Sequence, residues 1–135
     1  MTLGPSKNGK ADSGSPKRVL VVDDEKNIRI LFQDELEEAG YEVEAAASGR
    51  EALEMVEDAP FDLLVLDIRM ADMTGIEVLQ ELRQRDIRVP VIMCTAVRGL
   101  KDDFTVWDAE VFAYLTKPVD LDDLKQKVSQ ALHTT

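Results

Sequence analysis

The sequence predicts an α/β fold in which short strands alternate with helices around a parallel sheet. Three observations carry that expectation. From Arg18 onward the apolar residues switch repeatedly between short runs and helical spacing, with no long internal repeat. The short runs are continuous rather than alternating, as in strands covered on both faces. Four of them stop at a polar residue, where parallel sheets present ligand-binding groups. A length of 135 residues, 44% of them apolar, suits one domain with a filled core.

Residues 1–16, rich in Gly, Ser, Lys, Asn and Pro, cannot bury enough surface to offset ordering and are expected to be a disordered leader or expression remnant ahead of a domain over 17–133. The first strand is Val19-Leu20-Val21-Val22, ending at Asp23-Asp24. Ile28, Leu31, Phe32 and Leu36 then share a helical stripe, with Asn27 as the expected cap and Gly40 as the left-handed stop. Tyr41 to Ala46 reads as a second strand. Ser48-Gly49-Arg50-Glu51 has the form of a capping box, opening a helix that buries Ala52, Leu53, Met55 and Val56 and reaches about Asp58.

Phe61 to Leu66 is the third strand, ending at Asp67. A loop over Ile68 to Thr74 leads to a helix from Gly75 to Arg83, and Val89 to Cys94 is the fourth strand, ending at Thr95, with Pro90 tolerated near its start. The stretch from Val97 to Glu110 has poor helix propensity despite Leu100, Phe104 and Trp107 at near-helical spacing, and is expected to be a weak helix. Val111 to Leu115 is a fifth strand. Asp120 caps a last helix with Leu121, Leu124, Val128 and Ala131 inward, for a tally of five strands and five helices.

The formal net charge of −11 argues against nucleic acid and anionic membranes as partners, because no basic excess exists to neutralise phosphates. The single cysteine, Cys94, excludes an internal disulfide and lies in an apolar run, where it reads as a small hydrophobe. No run approaches the roughly 20 apolar residues of a membrane span, and no signal peptide is evident, so a cytoplasmic location is expected.

Asp23 and Asp24 follow the first strand, Asp67 the third, Thr95 the fourth and Lys117 the fifth, so residues far apart in sequence converge on one rim of such a sheet. Carboxylates gathered there repel one another unless a cation offsets them. Mg²⁺, which takes oxygen ligands and keeps some waters, suits that set, and the sequence has no Cys or His cluster to favour zinc. With metal and lysine offsetting the charge, Asp67 is a candidate nucleophile toward a phosphoryl group. Asp24 would bind the ion directly, Asp23 directly or through water, while Lys117 and the Thr95 hydroxyl would each hold a phosphoryl oxygen.

Those residues carry a resemblance. Val19-Leu20-Val21-Val22-Asp23-Asp24, Asp62 through Met70, Gly75-Ile76-Glu77-Val78-Leu79, Thr95-Ala96 and Tyr114-Leu115-Thr116-Lys117-Pro118 together resemble the receiver family of two-component response regulators, over roughly residues 17 to 133. The resemblance implies a CheY-like, flavodoxin-like five-stranded sheet in the order 2-1-3-4-5 and a cis Lys117-Pro118 bond. It implies a phosphoryl group donated by a histidine kinase or phosphotransfer protein. It also implies a switch, in which Thr95 moves toward phosphorylated Asp67 and Tyr114 turns inward, remodelling the face of the fourth helix, fifth strand and fifth helix. A downstream protein target or effector domain is then the expected partner, as is a second copy of the chain on phosphorylation. Arg69 is expected to offer its backbone carbonyl to the metal and to hang its side chain over the entrance.

Two positions depart from the family pattern. Ala71 and Asp72 follow Met70 where the family usually has Pro after Met, which removes a φ restraint and predicts a more mobile loop. Glu110-Val111 stands where Gly-Ala is typical. The blander alternatives are that Asp23 and Asp24 are turn formers, Thr95 a β-favouring strand residue, and Tyr114 and Trp107 ordinary packed aromatics. His133 is expected to be inert, so a phosphodonor histidine belongs to another protein. The rival functions are a pseudo-receiver acting as a constitutive interaction domain, and a metal-dependent aspartyl phosphatase. The latter usually needs a second acid where this sequence has Arg69, so a signalling switch rather than a turnover enzyme is expected.

Overall fold

The computed structural model describes residues 16–96 and 111–133. Strands β1 (Arg18–Val22), β2 (Glu42–Ala46), β3 (Leu63–Asp67), β4 (Val91–Thr95) and β5 (Ala113–Thr116) form one sheet. All its pairings are parallel, in the order β2-β1-β3-β4-β5, as the resemblance implied. Among the described residues four helices cover it: α1 (Lys26–Glu38), α2 (Gly49–Asp58), α3 (Gly75–Gln84) and α4 (Leu121–His133). The last of these is the expected fifth helix. The weak helix expected over 97–110, with Trp107 and Glu110, lies outside the described residues, as does the expected leader apart from Pro16.

The two-residue period of a strand sorts the apolar runs onto opposite faces. Val19, Val21, Leu63, Val65, Ile92 and Cys94 meet Phe32 and Leu36 of α1 and Leu124 and Val128 of α4. Leu20, Val22, Leu64, Leu66 and Met93 meet Ala52, Leu53 and Val56 of α2 and Leu79 and Leu82 of α3. Burial on both sides is why these strands read as unbroken hydrophobic runs. Each fully buried leucine stabilises the fold by roughly 1.5–3 kcal/mol relative to its exposed state.

Several local expectations are corrected. Asn27 does not cap α1: the helix starts at Lys26, Glu25 is the capping position, and it makes no side-chain cap bond. The cause lies in the preceding turn, where Asp23 Oδ1 accepts the Glu25 N–H at 2.9 Å and fixes the entry of the chain. Leu31 is 42% exposed and not on the buried stripe, which runs through Phe32 and Leu36. Gly40 does end the helix region in the left-handed conformation, at φ 104°.

The box at α2 is only half formed. Ser48 Oγ accepts the Glu51 N–H at 3.1 Å, but Glu51 returns its carboxylate to the Ala47 N–H at 2.7 Å, one residue before the cap. The reciprocal box is at α3, between Thr74 and Glu77. Asp120 does cap α4, its Oδ1 accepting from the Asp122 and Asp123 N–H groups at 2.8 and 3.1 Å. Pro90 precedes β4 rather than entering it, and Lys117-Pro118 is cis.

Candidate metal and phosphoacceptor site

The chain runs from β1 outward to β2 and then back across β1 to β3, so strand order reverses beside β1. Asp23 and Asp24 leave β1 there, and Asp67 is the last residue of β3, the strand paired with β1. Carboxylate oxygens of Asp23, Asp24 and Asp67 come within 4.8 Å of one another. Asp23 is 2% exposed and Asp67 6%, whereas Asp24 faces solvent. Two acids are therefore buried at the floor and one stands at the rim.

Lys117, from the end of β5, reaches across to both floor acids. Its Nζ lies 3.0 Å from Asp23 Oδ2 and 3.1 Å from Asp67 Oδ2. The strand ends that carry these groups are held together by backbone bonds: the Lys117 N–H to the Thr95 carbonyl at 2.7 Å, and the Ile68 N–H to the Cys94 carbonyl at 2.9 Å. Burial raises the pKa of Asp67 and the charge of Asp23 raises it further, while Lys117 pulls it back; the net shift is upward from 3.8. For Lys117, burial disfavours the ammonium, but Asp23 and Asp67 outweigh it and the net shift is also upward.

Among the described residues, three carboxylates around the Lys117 ammonium leave negative charge in excess, which is the circumstance in which a hard cation is favoured. All three offer carboxylate oxygens, within 4.8 Å of one another, and oxygen is the donor that Mg²⁺ takes. The residues therefore fit a hard divalent ion. Arg69 is exposed, and its N–H lies 3.3 Å from Asp67 Oδ1, placing its peptide beside the acid. Thr95 is buried at the end of β4, one residue past Cys94, the register partner of Asp67. Tyr114 is half-buried on β5, against the apolar cluster on the α2 and α3 side of the sheet. Burial pushes the Cys94 thiol up to about 12, consistent with an inert packing role.

Four contributors were given no part in the site from the sequence, although Ala71 and Asp72 stood out there as departures from the family pattern and Gly75 as a helix start. Arg29 Nη1 donates to the Asp23 carbonyl at 2.8 Å, bracing the turn after β1 from α1. The Ala71 N–H donates to Asp24 Oδ2 at 3.1 Å. Gly75 lets the start of α3 approach the back of Asp67 so closely that a Cβ there would stand 2.7 Å from the Asp67 carbonyl oxygen. Asp72 accepts the N–H groups of Gly49 and Arg50 at 3.1 and 3.0 Å. The slight burial of Asp72 raises its pKa, but the backbone N–H groups of Arg50 and Gly49, with those of Met73 and Asp72 itself, bring it below 3.8 on balance. The loop after Asp67 is thus tethered, contrary to the looseness expected from its missing proline. Of these, only the Thr74-Gly75-Ile76-Glu77 box beside Gly75 has a local sequence signature.

Residues 19–129 match the family model described as the response regulator receiver domain. The regulatory protein AtoC of Escherichia coli is 38% identical over 115 residues, which are 85% of this chain and 25% of that protein. The response regulator protein PilR of Pseudomonas aeruginosa is 37% identical over 118 residues, 87% of this chain and 26% of that protein. The chain thus spans about a quarter of the length of these curated relatives. Among solved structures, the response regulator protein TrrA of Thermotoga maritima in complex with Mg²⁺-BeF is similar at a TM-score of 0.78 and 40% identity, covering 86% of this chain and 99% of that one. A CheY-like receiver domain protein of Methanospirillum hungatei gives a TM-score of 0.80 at 36% identity, covering 87% and 94%.

Proposed function

Since this chain belongs to the response regulator receiver domain family, we propose that it is a phosphorylation-operated switch in which Asp67 accepts a phosphoryl group from a phosphohistidine of a partner protein. The observation that carries the proposal is Lys117 Nζ poised on both Asp23 and Asp67 with Asp24 alongside. Asp67 is the nucleophile: one of its carboxylate oxygens forms the new P–O bond as the P–N bond to the donor imidazole breaks. The electron pair of that bond goes to the imidazole, which takes up a proton. Lys117 Nζ holds one phosphoryl oxygen, and the Thr95 hydroxyl donates to another.

Asp23, Asp24, Asp67 and the Arg69 carbonyl would hold Mg²⁺, which supplies charge neutralisation for the transferring group. Thr95 and Tyr114 then carry the change to the β5 face, altering affinity for a downstream protein, and hydrolysis of the acyl phosphate returns the chain to rest. No helix among the described residues is long and apolar enough to cross a membrane. The partners proposed are a sensor kinase or phosphotransfer protein on the input side and an effector on the output side, in a cytoplasmic setting.

The test is labelling with a small acyl-phosphate donor. Mg²⁺-dependent incorporation of one phosphoryl group per chain, abolished by a chelator, is the expected result. Sustained turnover of a phosphomonoester would replace this reading with an aspartyl phosphatase, and no labelling with or without Mg²⁺ would leave a pseudo-receiver. Arg69 bears on the lifetime of the labelled state. Its side chain is exposed two residues beyond Asp67, and its charge there is proposed to tune that lifetime, so Arg69→Ala should change the rate of label loss severalfold. An unchanged hydrolysis rate after the donor is removed would rule that role out.

A further inference from the structure

The loop after Asp67 is pinned at two successive residues to two different parts of the molecule. On one side the Ala71 N–H donates to Asp24 Oδ2 at 3.1 Å. On the other, Asp72 spans the first turn of α2, with Oδ1 on the Gly49 N–H at 3.1 Å and Oδ2 on the Arg50 N–H at 3.0 Å. These N–H groups belong to a helix start and lack intrahelical partners, and Ser48 serves only the next one, at Glu51. Space at this contact is also tight. A Cβ on Gly49 would lie 2.3 Å from Met73 Cγ, so the loop rests directly on the helix start.

The Ala71 donor exists only because the residue is not proline, which has no N–H to give. A hydrogen bond to one carboxylate oxygen fixes the rotation of the carboxylate and leaves the other oxygen directed. Asp24 is the acid of the cluster that faces solvent, and so the one whose orientation is least set by burial.

We propose that Asp72 is a positioning residue for the cation site: by clamping the loop to the start of α2 it holds the Ala71 N–H on Asp24 and so presets Asp24 as a ligand. The inference rests on the metal reading given under Proposed function. In this chain the loop is stiffened by side-chain and backbone hydrogen bonds where the family pattern uses a proline ring. The first turn of α2 is consequently coupled to the metal ligand through two consecutive residues.

The test is Mg²⁺ titration by calorimetry, with thermal unfolding in chelator measured alongside. Asp72→Ala should weaken Mg²⁺ binding by roughly threefold to tenfold, below the 10–100-fold typical of a group bonded directly to a ligand, because Asp72 acts through Ala71. Ser48→Ala is the control. It removes a cap from the same helix without touching the loop, and should lower the unfolding temperature while leaving the Mg²⁺ affinity within twofold of the parent chain. Asp72→Asn, which keeps an acceptor but loses the charge, should restore part of the affinity.

Ala71→Pro should weaken binding on its own and abolish any further effect of Asp72→Ala. The proposal is overturned if Asp72→Ala and Ser48→Ala behave alike, or if Asp72→Ala and Asp72→Asn lose equal affinity and the loss vanishes at high salt, which would make Asp72 a distant charge only. Additive losses from Ala71→Pro and Asp72→Ala would likewise break the proposed link. A parent chain that binds no Mg²⁺ overturns the metal reading itself, which is a different result.

Discussion

Lys117→Met should lower the unfolding free energy of the metal-free chain by about 3 kcal/mol at neutral pH, the largest stability change expected at any single position of the site. The substitution keeps most of the apolar stem and removes the charge, so the loss reports on Asp23 and Asp67 left without a cation. Removing one partner of a buried ion pair costs about 3–5 kcal/mol, and the lower end applies because the Lys117 side chain keeps 18% of its exposure. Two features distinguish this from lost packing. The deficit should shrink as pH falls, because a proton on Asp67 takes over the role of the ammonium.

The sign follows from proton binding. Without Lys117 the folded-state pKa of Asp67 rises still further above its ordinary 3.8, so across that interval the folded chain binds more protons than the unfolded one and stability increases toward acid. Mg²⁺ should also add more stability to the variant than to the parent, since the cation now relieves a greater repulsion. Denaturant melts at neutral and mildly acidic pH, with and without Mg²⁺, check all three. A variant within 0.5 kcal/mol (roughly the scatter of a neutral surface change) of the parent would show that the acids are not coupled through this lysine.

How far the site was legible in the sequence depends on how local its causes are. Asp23, Asp24, Asp67 and Lys117 could be grouped because each ends an apolar run, and parallel strands in one sheet must deliver their ends to one rim. Runs buried on both faces were legible for the same reason. Strand order was another matter: periodicity predicts a βα repeat, and only the resemblance supplied the order 2-1-3-4-5. The start of α1 was misjudged because Asn27 is a good cap by composition, whereas the actual start is set by Asp23 holding the Glu25 N–H, a contact of the site itself.

Asp72 shows the limit most clearly. Taken alone, the loss of proline beside it predicts a looser loop. Its partners Gly49 and Arg50 lie 23 and 22 residues away on another element, and nothing in the local sequence pairs them. Thr74 and Glu77, three residues apart, did leave a readable pattern, and that capping box formed in full.

Asp67→Asn should erase phosphoryl labelling while making the metal-free chain more stable, two effects of opposite sign from one change. Labelling is lost because the neutral amide offers no carboxylate nucleophile and cannot form the acyl phosphate. Stability rises because burial and the neighbouring Asp23 charge disfavour the ionised Asp67 in the folded chain, as its raised pKa records. Above the folded value the carboxylate is charged in both states and the folded chain bears the full cost. Below the unfolded value near 3.8 it is neutral in both and the cost is gone. The amide removes that cost at neutral pH while Lys117 keeps its 3.0 Å contact with Asp23, so the metal-free melting temperature should rise by a few degrees, an effect on the order of 1 kcal/mol. The advantage should fade toward pH 3 and reverse under saturating Mg²⁺, because the parent offers the ion one more negative ligand. An Asp67→Asn chain that still took up one phosphoryl group would move the acceptor elsewhere. One that melted lower than the parent in chelator would mean that the charge of Asp67 stabilises the fold through Lys117 more than burial and Asp23 oppose it.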